Sequence, residues 1–71
     1  MKIDNAVVQI YSRLGCAPDE PGYFEDYEVL QRPTTRERGL TELRRLRAIN
    51  PSDTFRLRLE DWNNGNMEYV E

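Results

Sequence analysis

The chain has no histidine and a single cysteine among its 71 residues. Without histidine, catalysis of the Ser-His or Cys-His kind and zinc sites of the Cys/His kind are excluded. The lone Cys16 has no second cysteine to close a disulfide with, which points to a reducing, cytoplasmic setting. With no helper base close in sequence except Arg13 and no resolving thiol, Cys16 reads as inert. No apolar run approaches the roughly 18 residues of a membrane span, and no basic segment leads into an apolar one. Neither a membrane segment nor a signal peptide is therefore expected. Glycine-rich phosphate loops are absent too, since Gly15 and Gly22 stand alone.

What is present is charge in segregated blocks. Residues 1–31 carry six acids and two bases, residues 32–58 three acids and eight bases, and residues 59–71 four acids and no base. The net charge is −3. No stretch of five or six like charges runs unbroken, so this is not a nucleic-acid-binding tail. Acidic and basic elements can neutralise one another across the folded surface, or one face can present a single sign to a partner. Leucines, four Tyr, two Phe and one Trp supply core material for one small domain spanning 1–71.

The spacing predicts a helix over 34–50. Pro33 precedes Thr34, and Thr34 with Glu37 fits a capping box, in which hydroxyl and carboxylate each satisfy a free N–H of the first turn. Leu40, Leu43, Leu46 and Ile49 follow at intervals of three. At about 100° per residue they cover half the circumference, with Gly39 near the centre of the arc. A glycine there weakens the helix by about 1 kcal/mol, which close approach to a sheet would explain. Glu37, Arg38, Thr41, Glu42, Arg44 and Arg45 fall on the other side, and Asn50-Pro51 ends the helix.

Residues 54–61 predict a strand: Phe55, Leu57 and Leu59 alternate with Arg56, Arg58 and Glu60. Asn64-Gly65 is the favoured pair for a two-residue type I′ hairpin turn. That turn would set Trp62 opposite Met67, Glu60 opposite Tyr69 and Leu59 opposite Val70, at the cost of Asp61 opposite Glu68. The first segment fits two periods. As a strand, Ala6, Val8, Ile10 and Leu14 share one face, with Val7, Gln9, Tyr11 and Arg13 on the other. As a helix, Val7, Ile10, Tyr11 and Leu14 align, with Asp4 or Asn5 as cap and Gly15 past the end. The β-branched and aromatic run Val7, Val8, Ile10, Tyr11 favours the strand. So does the need for three or more strands to cover the helix. Residues 15–23, with two glycines and two prolines, read as a loop. Residues 25–32 read as an acidic edge strand, with Tyr27, Val29 and Gln31 against Glu28, Leu30 and Arg32. The expected fold is α+β: a small antiparallel sheet with one helix on one face, in the order strand, strand, helix, strand and a short fourth strand. Such a core is thin, so homodimerisation or partner binding would add to its stability.

Three stretches carry a resemblance: Pro21-Gly22-Tyr23-Phe24-Glu25-Asp26-Tyr27-Glu28-Val29-Leu30, the capped helix between Pro33 and Pro51, and the strand from Phe55 to Asp61. In size, charge and element order the chain resembles small accessory proteins encoded by phages and prophages. These include inhibitors of bacterial defence systems, among them the anti-CRISPR proteins. The resemblance implies a class of work, binding a larger host protein and blocking it, and carries over no residue's role.

Two surfaces could make such a contact. The first is acidic: Asp19, Glu20, Glu25, Asp26 and Glu28 lie within ten residues. It reads either as a solvated loop, as a patch that docks on a basic partner, or as a site for a hard cation. The EF-hand spacing is missing, and no metal or cofactor is expected. Paired carboxylates could in principle cleave glycosides, but a chain this short hardly builds the pocket that a substrate needs. No catalytic residue is assigned, and the reading is a non-enzymatic protein. The second surface is the sheet face away from the helix, where Arg56, Arg58, Trp62 and Tyr69 fall together with Tyr11 and Arg13. This is either an ordinary amphipathic sheet face or an interface with a partner, for which Trp, Tyr and Arg are typical anchors. Arginine among aromatics also suits the stacking of nucleic-acid bases. The negative net charge has the wrong sign for phosphate, so nucleic-acid binding is the second reading.

Overall fold

A computed structural model describes residues 2–30 and 33–71. The strands are β1 (Lys2–Ile3), β2 (Asn5–Ser12), β3 (Tyr23–Val29), β4 (Thr34–Thr35), β5 (Phe55–Asp61) and β6 (Asn66–Val70), and helix α1 spans Arg36–Ile49. β1 and β4 form a two-stranded bridge, while the main sheet is antiparallel in the order β3-β2-β5-β6. The helix lies on one face of that sheet, against β5 and β2. The molecule is thus a small α+β fold, with the elements in the order the sequence predicts plus the short β1 and β4.

The first segment is a strand, and its place in the sheet explains why its periodicity is ambiguous. β2 is central, and Asn5 through Gln9 are all buried. Its residues on the face away from the helix are buried as well, by the long side chains of the neighbouring strands, so the alternation that marks a half-exposed strand is lost. Leu14 does not share the face of Ala6, Val8 and Ile10. The strand stops at Ser12, a turn follows in which the Cys16 amide donates to the Arg13 carbonyl, and Leu14 is 84% exposed.

Ala6 and Val8 of β2, Phe55, Leu57 and Leu59 of β5, and Leu43 and Leu46 of α1 form the core, closed at its margins by Ile3 and Leu30. At Gly39 the helix lies close on the sheet: a Cβ there would stand 3.0 Å from Leu57 Cδ2. Ile49, expected in the core, is 60% exposed. Three-residue steps turn the stripe by about 60° each, so Leu40 and Ile49 end on opposite margins of the arc that Leu43, Leu46 and Gly39 centre. The cap is also displaced by one residue. Thr34 pairs with Ile3 in the bridge, and Thr35 is the N-cap, its hydroxyl accepting from the Arg38 amide at 3.1 Å. Three residues beyond Thr35 stands Arg38, so the carboxylate half of the box is missing.

β3 begins at Tyr23 rather than residue 25. Val8 faces Glu28 but Gln9 faces Asp26, which leaves Tyr27 as the extra residue of a bulge. Tyr27 therefore turns its ring edge-on to Phe55, at 5.4 Å, while Val29 sits opposite Val7 on the other face. The predicted grouping of Tyr27 with Val29 does not hold, and Gln31 and Arg32 lie outside the described residues. The hairpin differs as well. Asp61 pairs with Asn66, Leu59 with Glu68 and Leu57 with Val70, across a four-residue connection, Trp62–Gly65. Gly65 takes φ +66° but Asn64 does not adopt positive φ, so the turn is not type I′. The two-residue shift preserves the faces, seats Val70 on Leu57 and removes the predicted Asp61–Glu68 repulsion.

Candidate functional site: the open face of the sheet

The face opposite the helix receives every second residue of β2 and β5: Asn5, Val7, Gln9 and Tyr11 from one, Arg56, Arg58 and Glu60 from the other. Their sheet neighbours add Phe24, Asp26 and Val29 of β3 and Met67 and Tyr69 of β6. Val7 is nearly inaccessible here, although no element covers it. Its cross-strand partner is Arg58, whose aliphatic stem can shield it.

Polar side chains tie the four strands together in two rungs. In the first, buried Gln9 donates to Asp26 Oδ1 at 2.9 Å and accepts from Arg56 Nε at 2.7 Å. The guanidinium of Arg56 lies between two rings, 3.9 Å from the centroid of Phe24 and 4.2 Å from that of Tyr69. Phe24 in turn meets Tyr11 edge-on at 5.3 Å. Cation–π attraction of this kind needs no counter-ion and is strongest where water is excluded. In the second rung Arg58 bridges Asp26 at 3.5 Å and Glu60 at 3.4 Å. Glu60 also accepts from Asn5 Nδ2 at 2.7 Å and from Trp62 Nε1 at 3.3 Å. The amide of Asn5 and, after it, the donors of Trp62 and Arg58 hold the Glu60 carboxyl below the usual glutamate range, against the opposing effect of burial. Trp62 is anchored a second time, its backbone N–H donating to Asp4 Oδ2 at 2.6 Å, and leaves half its surface exposed.

The sequence-predicted group Arg56, Arg58, Trp62 and Tyr69 is therefore brought together, with Tyr11 at its border. Arg13 is not part of it. It lies beyond the strand, and its guanidinium donates to the Ala17 and Pro18 carbonyls at 3.4 and 3.3 Å. The five carboxylates do not form one patch. Asp19 and Glu20 are exposed in the 13–22 connection. Asp26 is on the open face, Glu25 is on the helix side opposite Ile10, and Glu28 meets Arg45 of the helix at 3.2 Å. Asn5, Gln9, Phe24 and Glu60 contribute to the two rungs without having been assigned to the site from sequence, although the period of two already put Gln9 and Glu60 on the outer faces of their strands. The period-two pattern of β3, read from Tyr23 instead of residue 25, would have placed Phe24 on this face.

Among the described residues, no three Cys, Asp or Glu side chains are grouped so as to hold a metal ion, and no helix is long and apolar enough to cross a membrane. Cys16 is a half-buried free thiol. A groove of about 360 Å³ lies on the helix side between the first turn of α1 and the β5–β6 hairpin, floored by Ile3 and Leu59 and rimmed by Arg36, Glu37 and Glu68. Comparison of the chain with protein-family models, with curated proteins and with solved structures finds no match.

Proposed function

We propose that the protein is a non-enzymatic binding module that docks through its open sheet face on a larger protein and blocks the surface it covers. The observation that carries this reading is the Phe24–Arg56–Tyr69 stack beside half-exposed Trp62. Aromatic rings and arginine held rigid before contact lose little entropy on binding, and they are the side chains that dominate interface energetics. Arg58 pairs with both carboxylates of the face, and Arg56 is held by Gln9 and two rings, so a partner need not supply matching charge. The likeness in size, charge and element order to phage-encoded inhibitors supports occlusion as the mode of action. It also supports a cytoplasmic component of a bacterial defence system, CRISPR-Cas included, as the class of partner.

The stacked rings also suit nucleic-acid bases. Against this, both guanidiniums are engaged within the face, and a net charge of −3 repels phosphate. Capture from host lysate with the parent, Trp62→Ala and Tyr69→Ala as baits tests the proposal. A protein held by the parent should dissociate at least tenfold faster from either variant. Retention of single-stranded nucleic acid that falls steeply with salt, with no protein lost from the variants, would instead support the nucleic-acid reading.

A further inference from the structure

The two edges of the sheet differ. β3 carries Glu25, Asp26 and Glu28 and a bulge, devices that discourage pairing with another strand. β6 has no proline, and its register to β5 runs unbroken over five pairs. The direction of its backbone groups follows from the ladder. In an antiparallel sheet, the N–H and C=O of one residue point to the same side, and successive residues alternate. The Thr54 carbonyl accepts from the Tyr11 amide at 2.9 Å and so faces β2. Arg56, Arg58 and Glu60 face β2 with it, and Phe55, Leu57, Leu59 and Asp61 face β6. Their partners Asn66, Glu68 and Val70 use their backbone groups on β5. Met67 and Tyr69 then turn both N–H and C=O outward.

We propose that the outer edge of β6, which pairs with no other strand among the described residues, takes an extended segment of a partner protein as a fifth strand. The segment carries lysine or arginine at alternate positions and aliphatic or aromatic residues between them. Its apolar residues pair with Met67 and Tyr69, continuing the open face. Its basic residues lie on the helix side beside Glu68, where Glu37 and Asp61 line the adjoining groove and Arg36 is already engaged by Glu68 at 3.0 Å. Glu37, Asp61 and Glu68 outnumber Arg36 on the helix side of this edge, so it selects a positively charged strand. The inference shares Tyr69 with the aromatic face but concerns backbone pairing at the edge, and it does not require that face to bind a partner.

The test uses the whole chain and a seven-residue peptide of alternating lysine and valine, followed by amide NMR. The peptide should shift the Met67 and Tyr69 amide signals and slow their hydrogen exchange at least tenfold, leaving Glu68, already bonded to β5, little changed. N-methylation of the peptide's valines, which face Met67 and Tyr69, should weaken binding at least tenfold. So should Met67→Pro, which removes an outward N–H without taking a donor from the β5–β6 ladder. If that variant misfolds, the methylated peptide makes the same comparison on the parent. The proposal is overturned if the lysine peptide does not bind, if a glutamate–valine peptide binds equally well, or if the methylated peptide keeps its affinity. It is also overturned if the free protein already protects both amides and has twice the chain's mass, which would mean that a second copy holds the edge.

Discussion

Gln9 is the residue on which the open face turns. It is buried, its two ends are committed to Asp26 and Arg56, and it thereby positions the guanidinium between Phe24 and Tyr69. Gln9→Ala leaves two charged partners short of a hydrogen bond and should cost about 1–3 kcal/mol in urea unfolding. Arg56→Lys keeps the charge but loses the planar fork, and should free the Tyr69 ring, read as a loss of ring-current shifts between the two side chains. Glu60 makes stability depend on pH in a direction that can be worked out. Its pKa is lower folded than unfolded, so the stabilisation is complete above the ordinary glutamate value of about 4.3. It disappears as pH falls from there through the folded value. The urea midpoint of the parent should drop across that window, and Glu60→Gln should flatten the drop. Glu42, held low chiefly by its bond to Arg45, adds to the same slope from the helix side and accounts for what remains in the variant.

At the scale of elements, the helix and the hairpin show where local preference gives way to packing. Gly39→Ala would stabilise an isolated helix by about 1 kcal/mol. Here the new methyl stands 3.0 Å from Leu57, which is fully buried and would have to shift against its core neighbours. The exchange should therefore be destabilising, by about 1 kcal/mol in thermal or urea unfolding. In the hairpin, Gly65 alone sits at positive φ, so Gly65→Ala should cost about 1 kcal/mol and Asn64→Ala less. Cross-strand NOEs between Asp61 and Asn66, in place of Asp61 and Glu68, check the register. Asn-Gly is a strong local signal for a two-residue turn. It is overridden because the shifted register brings Val70 onto Leu57 and lets Asn64 Nδ2 reach Asp61 at 2.7 Å.

For the molecule as a whole, one helix and four strands enclose a core with few fully buried large side chains, Leu43, Leu57 and Val8, while Val7 is buried on the other face of the sheet. A domain of this size without disulfide or metal has roughly 3–5 kcal/mol of stability. Leu43→Ala removes about 2–5 kcal/mol and should leave the chain largely unfolded at 25 °C by circular dichroism. The same thin margin makes binding visible as stability: a partner at 100 times its dissociation constant adds about 2.7 kcal/mol, a large upward shift in melting temperature for so small a domain. Charge is laid out to match. The basic helix meets the acidic strands through Arg45 with Glu28 and Arg36 with Glu68, so the segregated blocks of sequence become neighbours across the fold.

The period of two at Phe55, Leu57 and Leu59, the spacing of Leu40, Leu43 and Leu46 with Gly39 between them, and the proline boundaries determine by themselves that a helix lies on one face of a small antiparallel sheet. Those signals are local: each needs only the geometry of its own element and one buried side. The Tyr27 bulge, the hairpin register, the exposure of Ile49 and the meeting of Phe24, Gln9, Arg56 and Tyr69 were decided only in the tertiary structure. Each depends on which strand lies beside which, and strand order is set by packing between residues far apart in the chain. The acidic cluster shows the same division from the other side. Five carboxylates within ten residues look like one patch. Once a bulged strand divides Asp26 from Glu28 and each finds its own arginine, they no longer form a single surface.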